Sequence, residues 1–176
     1  MNDHEIDLLY RVRGNGHPEG KPRFYISCHS SDAALYLEEI IADLLKRVNC
    51  AIWYKPDFSV PFQSQEEMQL TLGQMQLFAS PATTRLLTTP NPAMDQDYAF
   101  AIENHIPILP LMEEDGIDDL YEQRFGSLQY LAPKRQDSTA IGFDQKMDRF
   151  LAHIIVDDDL ADTIRAAFDA YIFLSY

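Results

Sequence analysis

The sequence predicts a three-layer α/β fold: a central, mostly parallel sheet of five strands with helices on both faces. Short β-branched and aromatic runs alternate with amphipathic helical stripes, and such βα repetition requires right-handed crossovers between parallel strands. The length of 176 residues suits one domain with a sizeable core and leaves little room for a second. Hydrophobic residues make up 46% and charged residues 24%, the balance of a globular chain and not of a disordered or fibrous one.

Residues 1–22 read as an N-terminal arm, because Gly14, Gly16, Pro18, Gly20 and Pro22 are breakers dense enough to stop helix or strand past Arg13. Residues 23–28, Arg-Phe-Tyr-Ile-Ser-Cys, form the first strand, and His29-Ser-Ser-Asp32 caps the helix that follows. There Leu37, Ile40, Ile41, Leu44, Leu45 and Val48 recur at three and four residues as one apolar stripe, with charges between them. Residues 50–54 repeat the strand signal, and 55–62 is a loop, since Pro56 and Pro61 withhold ladder donors. A second helix is predicted over 65–78, ended by Ser80-Pro81, with a third strand at 85–89. Pro90-Asn-Pro92 turns the chain into a helix over about 94–104.

The fourth strand, 106–112, contains Pro107 and Pro110, which suit a sheet edge or a strand end, and an acidic loop continues through Asp119. A fifth strand is expected at 126–131 and a helix over 143–156. The whole is the flavodoxin-like kind of α/β architecture. Residues 157–176 read as a connecting helix followed by Ile172-Phe-Leu-Ser-Tyr176, which copies the pattern of Phe24-Tyr-Ile-Ser-Cys28 and is expected to begin a truncated second repeat.

Charge excludes several functions. The net charge of −14 repels nucleic-acid backbones and anionic membranes where basic residues do not cluster. No apolar run approaches the roughly 20 residues that span a bilayer, and an acidic N-terminus is unlike a signal peptide, so the expected location is cytoplasmic. Cys28 and Cys50 lack C-x-x-C spacing and are read as buried thiols. Histidines 4, 17, 29, 105 and 153 show no ligand spacing, so no metal is expected. Glycine-rich phosphate loops are missing, as are the acidic pair and acceptor aspartate of a phosphoacceptor receiver domain.

In an open parallel sheet, ligands bind outside the carboxyl ends of the strands. Those ends are Ser27-Cys-His-Ser-Ser-Asp32, the 53–62 segment and the 90–97 segment. Three stretches there, Phe24-Tyr-Ile-Ser-Cys-His-Ser-Ser-Asp32, Ala51-Ile-Trp-Tyr-Lys-Pro-Asp57 and 99–111 with Ile108-Leu-Pro-Leu111, resemble the successive boxes of a Toll/interleukin-1 receptor (TIR) domain over residues 23–156. The resemblance implies a signalling domain that self-associates or pairs with another TIR domain as a weak homo-oligomer. Its contact surface is the loop bearing Lys55, Pro56, Phe58, Val60 and Phe62, whose apolar residues are expected to be exposed. No cofactor is required.

Bacterial members of that family resemble NAD⁺-cleaving enzymes with an essential glutamate in the first turn of the third helix. Asp97 takes that position, one methylene shorter, and Ala93 stands where the family commonly has tryptophan. A fixed anion there would stabilise positive charge on the ribose as the nicotinamide bond breaks. The alternative function is therefore an NAD⁺ glycohydrolase or cyclase with NAD⁺ as substrate, Asp97 as catalyst, and Ser27, His29, Ser30, Trp53 and Phe58 forming the pocket. As a structural residue, Asp97 is instead a first-turn acid favoured by the helix dipole.

Overall fold

A computed structural model describes residues 7–14, 16–114, 116–125, 145, 148 and 151. The chain forms β1 (Leu9–Arg11), β2 (Arg23–Ile26), α1 (Ser30–Arg47), β3 (Ala51–Tyr54), α2 (Gln65–Leu72), β4 (Leu77–Ala82) and α3 (Thr84–Thr88). A π-helical stretch, Ala93–Tyr98, then runs into α4 (Ala99–Glu103), followed by β5 (Ile108–Met112) and α5 (Asp118–Phe125). The five strands make one sheet in the order β1-β3-β2-β4-β5. All its pairings are parallel except that of β1 with β3.

Alternate residues of the strands enter two separate cores. Phe24, Ile26, Ile52, Leu77 and Ala79 join Ile40, Ile41 and Leu44 of α1 on one face. Tyr25, Phe78 and Ile108 join Met68 and Leu72 of α2, Leu86 of α3, Tyr98 and Phe100 on the other. Burial on both faces explains why the strands read as nearly continuous apolar runs. Ile26, Ile52 and Ile108 are buried as a parallel sheet demands.

Four stretches differ from the sequence expectation. The arm contains β1, whose Arg11 pairs with Glu38 and whose Tyr10 ring packs on Trp53, so tertiary partners hold a three-residue strand too short to be seen as a pattern. The expected helix over 65–78 stops at Leu72, and Leu77–Ala82 is instead a fully buried strand containing Pro81. Proline is tolerated there because the Phe78 N–H donates to Pro107 on the β5 side. The position of Pro81, of opposite parity, points its missing donor toward β2, past the last paired residue Ile26. Residues expected as a third strand form α3, capped by the Thr83 hydroxyl, which accepts from the Leu86 N–H. Asp118–Phe125 adds a helix where the acidic loop was expected to end.

In β5 the Glu113 N–H just beyond the strand donates to Ala82, so the odd-numbered residues face β4 and Pro110 faces away from it. Among the described residues no strand pairs with β5 on the side away from β4. The expected strand at 126–131, most of the helix over 143–156 and the 157–176 segment lie outside the described residues.

Candidate functional site

The strand order changes direction at β2, with β3 on one side and β4 on the other. The carboxyl ends of β2 and β4 therefore flank the place where an open α/β sheet leaves a crevice. Here that place is filled by Asp97, which the π-helical stretch brings over the sheet. The Asn91 side chain fixes the start of this stretch by accepting from the Met94 N–H and donating to the Leu86 and Thr89 carbonyls.

Asp97 is 1% exposed. Its Oδ2 accepts from the Ser27 hydroxyl at 2.6 Å and the Tyr25 hydroxyl at 3.2 Å, while its buried Oδ1 has no hydrogen-bond partner among the described residues. Burial raises its pKa to about 6, against the opposing pull of the Lys55 ammonium and the two hydroxyls. Burial also pushes the Tyr25 phenol well above its ordinary value, as it does the Tyr98 phenol, with the Asp97 charge adding to both.

Lys55 faces inward, not outward. Its Nζ donates to the Val60 carbonyl at 2.8 Å and lies 4.2 Å from the centre of the Phe62 ring. Burial lowers its pKa, offset by the charges of Asp97 and Glu67. The loop is also fastened at Phe62, whose N–H donates to Gln96 Oε1 at 2.8 Å and whose carbonyl accepts from Gln96 Nε2 at 3.0 Å. Phe58 stacks on Tyr54, ring centres 6.4 Å apart. Tyr54 packs against the α1-side core and Phe62 lies in the other, so the loop straddles the sheet.

The exposed patch expected from Phe58, Val60 and Phe62 is therefore not formed: Phe58 and Phe62 are buried within the chain and Val60 alone of the three is exposed. An aromatic in a proline-bearing loop is driven inward as strongly as any other when the core offers it space.

Of the residues expected around NAD⁺, the structure brings only Ser27 onto Asp97. His29 caps α1, its Nδ1 accepting from the Ser31 N–H at 3.0 Å, and Ser30 is the exposed first residue of that helix. Trp53 packs on Tyr10 at the β1 edge, with its buried indole N–H unpartnered among the described residues, and Phe58 belongs to the Tyr54 stack.

The sequence reading missed Tyr25 and Gln96 as partners of the carboxylate and the loop. Tyr25 had a signal, a hydroxyl two residues from Ser27 on a buried strand; Gln96 had none. A second buried carboxylate, Asp32 in the first turn of α1, accepts from the Thr83 hydroxyl at 2.5 Å and lies 3.3 Å from the Arg85 guanidinium. Cys28 has its thiol pushed up to about 12 by burial and by the charges of Asp32 and Asp97. Among the described residues no cluster of three metal-ligating side chains occurs, and no helix is long and apolar enough to cross a membrane.

No protein-family model matches the chain, and comparison with curated proteins returns no match.

Proposed function

We propose that the chain is a TIR-like module of flavodoxin-like topology that acts in signal transduction by homotypic association, with itself or with another TIR-like domain. The parallel strands run β3-β2-β4-β5, consistent with that topology, and the stretches that carry the resemblance form β2, β3 with its loop, and the helix leading into β5. The observation that favours association over catalysis is the enclosure of Asp97. Its carboxylate is 1% exposed and held by Ser27 and Tyr25 beneath the loop that Gln96 fastens. A carboxylate so enclosed has no approach for a ribose.

The competing reading, NAD⁺ cleavage with Asp97 as the catalyst, draws support from its unpartnered Oδ1 and its pKa near 6. Incubating the purified chain with NAD⁺, at concentrations where it is monomeric and where it associates, separates the two. The expected result is self-association in a sedimentation series with no nicotinamide release. Steady nicotinamide release that disappears in Asp97→Ala would overturn it.

A further inference from the structure

Gln96 and Asp97 are consecutive residues of the π-helical stretch, so one turn of backbone carries both the side chain that fastens the 55–62 loop and the carboxylate beneath it. The fastening is reciprocal: Gln96 accepts from the Phe62 N–H and donates to the Phe62 carbonyl. The loop is also braced within itself. The Lys55 ammonium donates to the Val60 carbonyl and lies over the Phe62 ring, and Asp57 accepts from the N–H and hydroxyl of Ser59. A segment tied internally, and held to its neighbour through one side-chain amide, opens as a unit when that amide lets go.

Beneath the loop Asp97 is half satisfied. Its Oδ2 accepts from the Ser27 and Tyr25 hydroxyls, whereas Oδ1 is buried with no hydrogen-bond partner among the described residues. An anion with one oxygen unpartnered is costly away from water, and either a proton or entering water relieves the cost. The groups set around it are the Tyr25 and Tyr98 phenols, the Ser27 hydroxyl and the Cys28 thiol, all uncharged near neutral pH, and the Lys55 ammonium, which also faces Glu67 of α2. Lys55 favours the anion, but burial disfavours it more, which leaves the closed loop with the higher affinity for a proton.

We propose that the 55–62 loop and Asp97 form a proton-controlled latch: parting of Gln96 from Phe62 lets the loop open locally and admits water to Asp97, and a proton on the carboxyl holds the loop shut. Opening hydrates the carboxylate and returns its pKa from about 6 toward the ordinary 3.8, so it releases a proton wherever the closed form holds one. The loop is therefore shut most firmly below about pH 4, opens more readily as the pH rises through about 6, and changes little above that. A solute that reaches Oδ1 has first to part Gln96 from Phe62, so acid shields the carboxylate and neutral pH uncovers it. The latch is independent of homotypic association.

Amide hydrogen exchange of the wild-type chain tests it at the Phe62 N–H, with the Phe78 N–H, which donates to the Pro107 carbonyl, as the reporter of whole-chain opening. Protection is taken as the ratio of intrinsic to observed exchange rate, which removes the ordinary pH dependence of exchange. Phe62 should be less protected than Phe78, and its protection should fall about tenfold between pH 4.8 and 7.5 by the proton linkage. Asp97→Asn should abolish that fall, and Gln96→Ala should lower Phe62 protection at every pH while keeping it. Phe62 protection equal to that of Phe78 would mean that the loop opens only with the whole chain, and would overturn the latch. So would a wild-type profile that is flat or rises with pH, a fall that persists in Asp97→Asn, or Phe62 protection indifferent to Gln96→Ala. The wild-type profile needs no variant, so the latch stays refutable even where a substitution prevents folding.

Discussion

Replacing Asp97 with asparagine keeps the shape of the side chain and removes its titration. In the folded chain the carboxyl has a pKa of about 6 against an ordinary value of 3.8, because burial disfavours the anion more than Lys55, Ser27 and Tyr25 favour it. The folded state therefore binds this proton more tightly than the unfolded state. Near pH 7.5 both states are ionised, and the buried anion carries its full penalty, about 3 kcal/mol by the usual 1.36 kcal/mol per unit of pKa. As the pH falls below about 6 the folded state takes up the proton first, and the penalty is relieved down to the unfolded value of 3.8. Between pH 7.5 and 4.8 the wild type should gain about 1–2 kcal/mol relative to Asp97→Asn by that linkage. Urea denaturation of both proteins at several pH values measures the difference, and the other carboxylates cancel in the comparison. A stability difference that stays flat over this interval would show that Asp97 does not titrate there and that the account of its burial is wrong.

Two further outcomes follow from the same packing. Phe62→Ala removes a ring that is 4% exposed and lies beneath the Lys55 ammonium; a loss of about 3–5 kcal/mol in chemical denaturation is expected, and a loss below about 1 kcal/mol would mean that the loop is not anchored by this residue. Cys28 and Cys50 are buried, with thiols pushed up to about 12 chiefly by burial. Both should resist alkylation at pH 8 in the folded chain and react in urea, whereas rapid native labelling of Cys28 would show that the strand ends open to solvent.

The α/β class was legible in the sequence because it rests on local signals: the stripe of Leu37, Ile40, Ile41 and Leu44, the cap before it, and the apolar runs of β2, β3 and β5. The same signals placed Ser27 and Asp97 at strand and helix ends. They failed where context reverses local preference. Leu77–Ala82 contains a proline and begins four residues after Gly73, the cap of α2, yet it lies in the sheet interior because Pro81 falls beyond the end of β2. Thr84–Thr88 has β-prone threonines and leucines, yet the Thr83 cap and packing on the sheet make it a helix. Phe58 and Phe62 read as exposed because loops usually are, and only the tertiary structure shows the Tyr54 ring that covers the first and the core that receives the second. The composition of the Asp97 cluster is likewise decided by folding: Tyr25, Ser27 and Lys55 lie 72, 70 and 42 positions away in sequence, and no periodicity within a segment encodes which carboxylate will face which hydroxyl or ammonium.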